Sequence, residues 1–550
     1  MKKFIIVRDA YGLTQVLITK PNVFVDKNGN SINGKLSLES VIAVKGCVRR
    51  RPENQINLKF ATGEIEVEAE KVTLLNECTF APLVLREQQN VLESTRLTYR
   101  YIDLRSEEMQ NNLRFRSHFV SKIRNFLLNE CAFVEIETPY LTLRTPGVGH
   151  FLITCQLRAG AQEFVVPTRF PGKYYVLAQS PQQFKQLLMI GAMDRYFQIA
   201  RCFRDEGAKI DRQPEFTQVN LCVLSNLVEN LLKAALPFEV KTPFPRISYK
   251  ESINDYGTDK PDMRLSFKLK DLSSSTNLAS EKQKCVAFAL KDGFRFLNKQ
   301  LKSLEKSMQE TCESLSFKGK IVVTKISENL VWDKRFDEAI RIAANKELNL
   351  NPGDILFLAI GQQDEVYQIM GKMRNECVQV LMKLEEHPYS SVDKFSFVWI
   401  LDFPLFFAKE DGKLECAHHP FTAPIDEHKH KLYEDPLNTT SQHFDLVLNG
   451  EEIGGGSVRI YDSQMQSYVF EKILRENVSS MQFFLDALKS GCPPHAGIAL
   501  GLDRLVAILC NASSIKSVMA FPKSSNSKDL MTNAPSAIDE ESKRLYNIKD

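Results

Sequence analysis

The densest group of reactive side chains is Arg201-Cys202-Phe203-Arg204-Asp205-Glu206, followed by Asp211-Arg212-Gln213-Pro214-Glu215-Phe216. A planar guanidinium grips a phosphate through two hydrogen bonds, and a fixed positive charge there stabilises a phosphoryl-type transition state. Phe216 could stack on a base. A surface hairpin laced with salt bridges fits the same spacing, and the residues alone leave both readings open. A second group occupies 445–459. Asp445 and Glu452 are oxygen donors suited to Mg²⁺, Gly454-Gly455-Gly456 either let backbone approach a ligand or form a bulge, and Arg459 follows. The glycines match neither a phosphate-binding loop nor G-x-G-x-x-G. The third group is Ala499-Leu500-Gly501-Leu502-Asp503-Arg504-Leu505, where an arginine interrupts an apolar strand-to-helix segment. Buried arginine is costly unless it is paired, here with Asp503, or meets a bound anion.

These groups must be held by a multidomain chain. Its 550 residues suggest roughly three or four units, and 43% hydrophobic with 25% charged residues suits globular cores. The net charge of +3 excludes a strongly basic nucleic-acid coat but allows a basic patch on one domain. No run of apolar residues is long enough to span a membrane. The start, Met1-Lys2-Lys3-Phe4-Ile5, shows neither a signal peptide nor a transit peptide. None of the twelve cysteines forms a C-x-x-C pair or sits at zinc spacing from histidines, so they read as reduced thiols.

Period-2 alternation over Phe4–Val7, Thr14–Ile18, Val41–Val44 and Glu64–Glu68 predicts a small antiparallel barrel, with an oligonucleotide-binding barrel as the natural candidate. Arg49-Arg50-Arg51 would put positive charge beside it or lie in a solvated turn. A polar connector, an amphipathic helix over 107–130 and a strand stopped by Pro139 follow. Residues 265–395 turn Lys/Glu-rich and read as an inserted domain, with a helix over 334–347 and a strand at 355–358. Strands return from 396.

The three groups, taken together, resemble the signature motifs of class II aminoacyl-tRNA synthetases. Phe203-Arg204-Asp205-Glu206 with Arg212-Gln213-Pro214-Glu215-Phe216 resembles motif 2, Gly501-Leu502-Asp503-Arg504 motif 3, and the strand ending at Pro139 motif 1. Four further stretches resemble aspartyl-tRNA synthetases of the bacterial and organellar kind: residues 179–186, 256–262, 418–422 and 454–460. The resemblance runs from Phe4 to about Pro535 and implies an α+β multidomain fold. Its parts would be an OB-fold anticodon barrel (1–80), a linker (81–106), a catalytic antiparallel sheet in two pieces (107–264 and 396–550) and an inserted α/β, GAD-like domain (265–395).

The resemblance implies ATP-dependent attachment of L-aspartate to tRNA(Asp) through an aspartyl-adenylate, in a homodimer with no membrane role. The setting would be the mitochondrial matrix, or the cytoplasm if the source is bacterial. It places Arg204 on the ATP α-phosphate and Arg504 on the γ-phosphate. Glu206, Gln213, Phe216, Gly501, Leu502 and Asp503 would surround the nucleotide, and Asp445 and Glu452 would hold Mg²⁺. Lys185 and Arg459 would clamp the aspartate side chain, with Ser180, Gln182 and His418 lining the pocket. Phe4 and Gln15 match the family's base-stacking and base-reading positions; Phe4 alone could equally be barrel core.

The chain departs from the pattern in three places. The family's barrel has a strand ahead of Phe4. Residues 148–159 interrupt a Thr-Pro-Gly-Gly-Ala substrate loop, either as a loop insertion or as a translated intron. Motif 2 continues with Asn220 and Cys222, where the family has two acids, the first of which binds the substrate ammonium. Two other readings follow: an enzyme that also charges tRNA for asparagine, or a catalytically weakened RNA-binding homologue.

Overall fold

Alternating apolar residues at the start of the chain fold as β1 (Lys3–Arg8) and β2 (Leu13–Ile18). The Asp9 carboxylate closes their turn by accepting from the backbone N–H groups of Tyr11 and Gly12. β3 (Phe24–Asp26), β4 (Val41–Arg50) and β5 (Ile65–Asn76) complete a five-stranded sheet in the order β1-β2-β5-β3, with β4 also on β5. The expected antiparallel pairing holds for β1–β2 and β4–β5, whereas β2 and β3 run parallel to β5. β5 is long enough to receive both in succession, at Val67–Glu68 and at Val72–Leu74. The core under it includes Val16, Ile18, Phe24 and Val72. Arg49 and Arg50 lie on β4 rather than in a turn. Arg49 pairs with Glu68, and buried Arg51 donates from Nε to the Ile65 carbonyl at 2.9 Å.

The computed structural model describes residues 3–32, 36–83, 91–143, 162–205, 211–222, 225–275, 282–291, 298–330, 332, 336–382, 393–409 and 411–548. They fall into two compact units. The first comprises Met1–His118, Gly207–Gln213 and Val506–Asp539; the second comprises Phe119–Glu206, Pro214–Leu505 and Glu540–Asp550. In the first unit, residues read as a polar connector form the short helices Glu93–Thr98 and Arg100–Asp103. Arg100 is buried there against Asp103 and donates to the carbonyls of Lys516, Met519 and Ala520.

The second unit is built on an eight-stranded sheet. Its members are β6 (Val134–Glu135), β10 (Tyr196–Phe203), β11 (Glu215–Cys222), β12 (Arg246–Ser248), β17 (Phe397–Leu401), β20 (His443–Leu448), β21 (Glu451–Val458) and β22 (Ala496–Gly501). The order is β12-β17-β20-β21-β22-β11-β10-β6; the six middle strands are antiparallel and both edge strands pair in parallel. A three-stranded sheet of β7 (Leu141–Thr142), β8 (Val165–Pro167) and β9 (Tyr174–Leu177) belongs to the same unit, as does the hairpin of β18 (Phe406–Ala408) and β19 (Leu414–Cys416).

The inserted segment forms its own antiparallel sheet, β13 (Lys270–Asp271), β14 (Gln283–Leu290), β15 (Lys320–Lys325) and β16 (Ile355–Gln362), in the order β13-β14-β16-β15. Val286, Phe288 and Phe357 face one core with helices Asn298–Ser314 and Gln363–Leu381. Ala287, Leu356 and Leu358 face another with helix Glu338–Glu347. Helices on both faces explain why Cys285–Leu290 of β14 and Ile355–Ile360 of β16 are continuously apolar instead of alternating. The expected amphipathic helix over 107–130 appears as Glu107–Asn125 plus a wider π-helical turn, Phe126–Glu130. No described helix is long and apolar enough to cross a membrane.

Candidate active site

The middle of the eight-stranded sheet carries the reactive side chains. β10 and β11 form the motif 2 hairpin, closed by the Arg204 backbone N–H donating to the Pro214 carbonyl at 2.8 Å. The Arg204 guanidinium lies over the Phe216 ring, 5.1 Å from its centroid. Arg201 pairs with Glu215 at 2.9 Å, a salt bridge within the hairpin. Glu206 lies outside the described residues. Gln213 belongs to the first unit, where its amide accepts from the Lys523 N–H at 2.7 Å and donates to the Lys523 carbonyl at 3.2 Å.

β22 turns directly into the helix Leu502–Leu509, because Gly501 pairs with Gln218 at the end of the ladder and apolar periodicity takes over at Leu502. Asp503 is buried and accepts from the Thr217 N–H at 2.7 Å, which ties this helix to β11. Arg504 donates to the Glu452 carbonyl at 2.6 Å.

Asp445 on β20 faces Gly455 on β21. Glu452 is three residues before Gly455, so regular alternation would send the two to opposite faces. The register shift between Leu446 and Val447 inserts Ile453 as an extra residue and brings Glu452 onto the face of Asp445. A Cβ on Gly455 would stand 2.6 Å from Asp445 Oδ1 and 3.7 Å from Glu452 Oε1, so the glycine is the space between the two carboxylates. Burial, with the Glu452 charge next, holds the Asp445 carboxyl well above its ordinary range. Burial opposes ionisation of Glu452 too, but the Lys260 and Arg504 cations outweigh it and bring its pKa down to about 2. Lys260 Nζ is 3.0 Å from Glu452 Oε2.

His443 was not among the residues expected here, although its i, i+2 spacing from Asp445 puts it on the same face. Its Nε2 lies 2.9 Å from Asp445 Oδ1, and its ring stacks on His418 with centroids 3.5 Å apart. Burial depresses both imidazoles to about 3, so both are neutral at ordinary pH. His418, His443 and Asp445 have ligand atoms within 4.8 Å of one another. Stacked parallel rings cannot both aim a lone pair at one ion, so the cluster reads as a polar wall of the pocket.

The helix Gln182–Ile190 presents Gln182, Lys185 and Gln186 on one face, with Ser180 half-buried just before it. Lys185 is buried, and its Nζ donates to the Ile498 carbonyl at 3.0 Å. It passes over Gly497, where a Cβ would be 2.7 Å from Nζ. Arg459 is also buried and donates from Nη2 to Gln182 Oε1 at 3.3 Å. Neither cation has a carboxylate partner among the described residues. Burial brings Lys185 down to about 7 and Arg459 to about 10, and the proximity of Arg459 adds to the effect on Lys185. Asn220, 1% exposed, sits opposite Gln198 and Ala499 with its Nδ2 unpartnered among the described residues. Cys222 is buried near Lys185, and burial raises its thiol pKa. Gly497, Lys260 and His443 are the site residues that sequence reasoning missed. In the first unit, Phe4 is 55% exposed, which removes it from the core. It shares a face of the β1–β2 hairpin with Gln15, whose Nε2 donates to Glu66 at 2.8 Å.

Residues 92–525 match the family of tRNA synthetases class II (D, K and N), and the chain belongs to that family. Its relatives there are aspartate--tRNA ligases. The mitochondrial enzyme of Mus musculus is 42% identical over 99% of this chain and 84% of its own length. The aspartate--tRNA(Asp/Asn) ligase of Dictyoglomus turgidum is 40% identical over 99% and 92%. Among solved structures, asparaginyl-tRNA synthetase from Pyrococcus horikoshii, complexed with asparaginyl-adenylate, matches with a TM-score of 0.52 at 17% identity, over 95% of this chain and 91% of that one. That likeness bears out the class II fold.

Proposed function

We propose that this protein attaches L-aspartate to tRNA(Asp), using ATP and passing through an aspartyl-adenylate. The observation that carries this reading is the pair of buried cations, Lys185 and Arg459, without an acidic partner among the described residues. Two like charges are buried together stably only when an anion joins them. A small substrate carboxylate supplies that anion, whereas the neutral amide of asparagine would set N–H groups against both cations. The 42% identity to a mitochondrial aspartate--tRNA ligase supports the same substrate, and a mitochondrial matrix setting with it.

Lys185 and Arg459 hold the aspartate side chain. Ser180, Gln182 and His418 line the pocket, and Asn220 faces the ammonium. Arg204 holds the α-phosphate and Arg504 the γ-phosphate; Phe216, Gly501, Leu502 and Asp503 frame the base and ribose. The Arg204–Phe216 stack supports placing base and α-phosphate side by side. Glu206 and Gln213 are assigned to the nucleotide by the family resemblance alone. Asp445 and Glu452 are hard-oxygen donors on one face with an open space at Gly455, which fits Mg²⁺. Bound there, Mg²⁺ supplies charge neutralisation to the phosphates. The aspartate α-carboxylate attacks the α-phosphate and pyrophosphate departs. No protein nucleophile is needed, so the side chains work by positioning and by charge. A terminal hydroxyl of tRNA then takes the aspartyl group and AMP leaves.

Exposed Phe4 beside Gln15 supports stacking and edge-reading of an unpaired anticodon base by an OB-type sheet. A homodimer is supported by exposed apolar residues on the small sheet, Val165 and Tyr174 on one face and Leu141 and Tyr175 on the other.

Aspartate-dependent exchange of pyrophosphate into ATP tests the reading. The purified protein is expected to catalyse it; absence of exchange would overturn the ligase assignment. Arg459→Leu is expected to abolish exchange while Mg·ATP still binds, and normal exchange in that variant would refute the pocket.

A further inference from the structure

The position of Glu452 depends on two pieces of backbone. One is the Asn449–Gly450 turn joining β20 to β21, with positive φ of 52° and 86°. The other is the loop that delivers Lys260 to the Glu452 carboxylate at 3.0 Å. Both pieces are held by one helix of the inserted segment, Gln363–Leu381. Asn375 donates from Nδ2 to the Lys260 carbonyl at 3.0 Å and accepts from the Asp262 N–H at 3.2 Å. Gln379 Nε2 lies 3.3 Å from both the Asn449 carbonyl and Asp262 Oδ2. The contact is close-packed: a Cβ on Gly450 would sit 3.3 Å from Asp262 Cβ and 3.4 Å from Asn375 Nδ2. A Cβ on Gly371, one turn earlier in the helix, would lie 2.2 Å from the Gly257 carbonyl oxygen.

We propose that the helix Gln363–Leu381 of the inserted segment positions the nucleotide site, with Asn375 and Gln379 setting where Lys260 and Glu452 stand. Anchoring the inserted segment to the rest of its unit is a separate task with its own residue. Arg374, with no exposed surface, donates to the carbonyls of Asp262, Leu265 and Phe267 at 2.9, 2.6 and 2.8 Å and packs on Tyr256. Beside Arg374, whose Nη1 also lies 3.4 Å from Asn375 Oδ1, Asn375 and Gln379 each make one link to Asp262 and one that leads to Glu452, through the Lys260 and Asn449 carbonyls. Both are positioning residues, since neither touches the carboxylate itself. The proposal rests on the reading of Glu452 as a nucleotide-site carboxylate.

The test uses the full chain and three measurements: calorimetric affinity for Mg²⁺ with an ATP analogue whose α,β-bridge cannot be cleaved, KM for aspartate in pyrophosphate exchange, and the melting temperature. The double variant Asn375→Ala/Gln379→Ala is expected to weaken analogue binding about tenfold, the scale of one or two hydrogen bonds. KM for aspartate and the melting temperature should stay essentially unchanged. Glu452→Gln is expected to weaken analogue binding on its own and to leave the double variant little further to lose. If Glu452→Gln weakens binding and the double variant does not, the positioning role is wrong while the site stands. If Glu452→Gln has no effect, the site reading fails and the proposal with it. A double variant that loses affinity for aspartate and analogue alike and melts early would show a merely structural contact, which also overturns the proposal.

Discussion

Asn220 is where this chain's residues strain the proposed chemistry most. It is buried, its Nδ2 has no partner among the described residues, and it offers an ammonium a neutral amide instead of a carboxylate. An ionic hydrogen bond of this kind is worth about 1–3 kcal/mol. Asn220→Asp should therefore raise kcat/KM for aspartate roughly 5- to 150-fold, and an unchanged value would show that the ammonium is bound elsewhere. Lys185 adds a pH dependence. Its folded-state pKa of about 7 lies below the ordinary 10.5 because burial disfavours its charge. Binding a carboxylate needs the ammonium form, so affinity for aspartate should be full below pH 7 and fall as pH rises through it, by at most about tenfold per unit. Folding stability has the opposite sign. The unfolded lysine keeps its proton up to 10.5, so the burial penalty is complete below 7 and is relieved as pH climbs toward 10.5. Cys222→Glu would place an anion beside Lys185 and should move the affinity limb to higher pH; KM-versus-pH curves that superimpose would rule this out.

At the scale of elements, the site depends on glycines that open space in strands. Gly497 lets Lys185 lie across β22. Gly497→Ala would press its Cβ against the Lys185 ammonium and, at 2.8 Å, against the Leu221 carbonyl oxygen of β11. Displacing the ammonium from the pocket should lower kcat/KM for aspartate about a hundredfold, the scale of an ångström's misplacement. Binding of Mg·ATP alone should survive, and a variant with normal aspartate kinetics would show that Lys185 is not held by this gap. The motif residues were legible one by one in the sequence, but this element-level geometry was not. Glycine in a strand signals close approach without naming what approaches. Lys185 and Gly497 are more than three hundred residues apart. The bulge at Ile453 was equally hidden: the expected carboxylate pair, Asp445 and Glu452, shares a face only because the β20–β21 register slips there.

For the whole molecule, two features bear on assembly. Apolar residues on the small sheet stand exposed, with Val165 at 53% and Tyr174 at 51%. The short strand β6 forms one edge of the main sheet. Sedimentation equilibrium should give twice the 62.7 kDa chain mass, and Val165→Asp/Tyr174→Asp, two changes on one face of the small sheet, should shift the species toward monomer with loss of exchange activity. A monomeric parent protein would remove the dimer from the proposal. The division of the chain also reads differently at this scale. Residues 506–539 fall with the N-terminal sheet in one compact unit, an association of distant segments that composition shifts along the chain do not reveal.

The sequence by itself determined the family and the identity of the charged residues, and it predicted a sheet in two pieces with a segment inserted between them. Those follow from residue types, strand alternation and local motif spacing, which are properties of short stretches. Only the tertiary structure decided that Lys185 and Arg459 are buried without a carboxylate partner among the described residues, that His443 backs His418 and Asp445, and that Lys260 neutralises Glu452. It also decided that the first sheet is mixed and not antiparallel. Each of these is a contact between residues far apart in the chain, set by strand register and by how closely two backbones approach. Neither quantity is written in the spacing of residues along one segment.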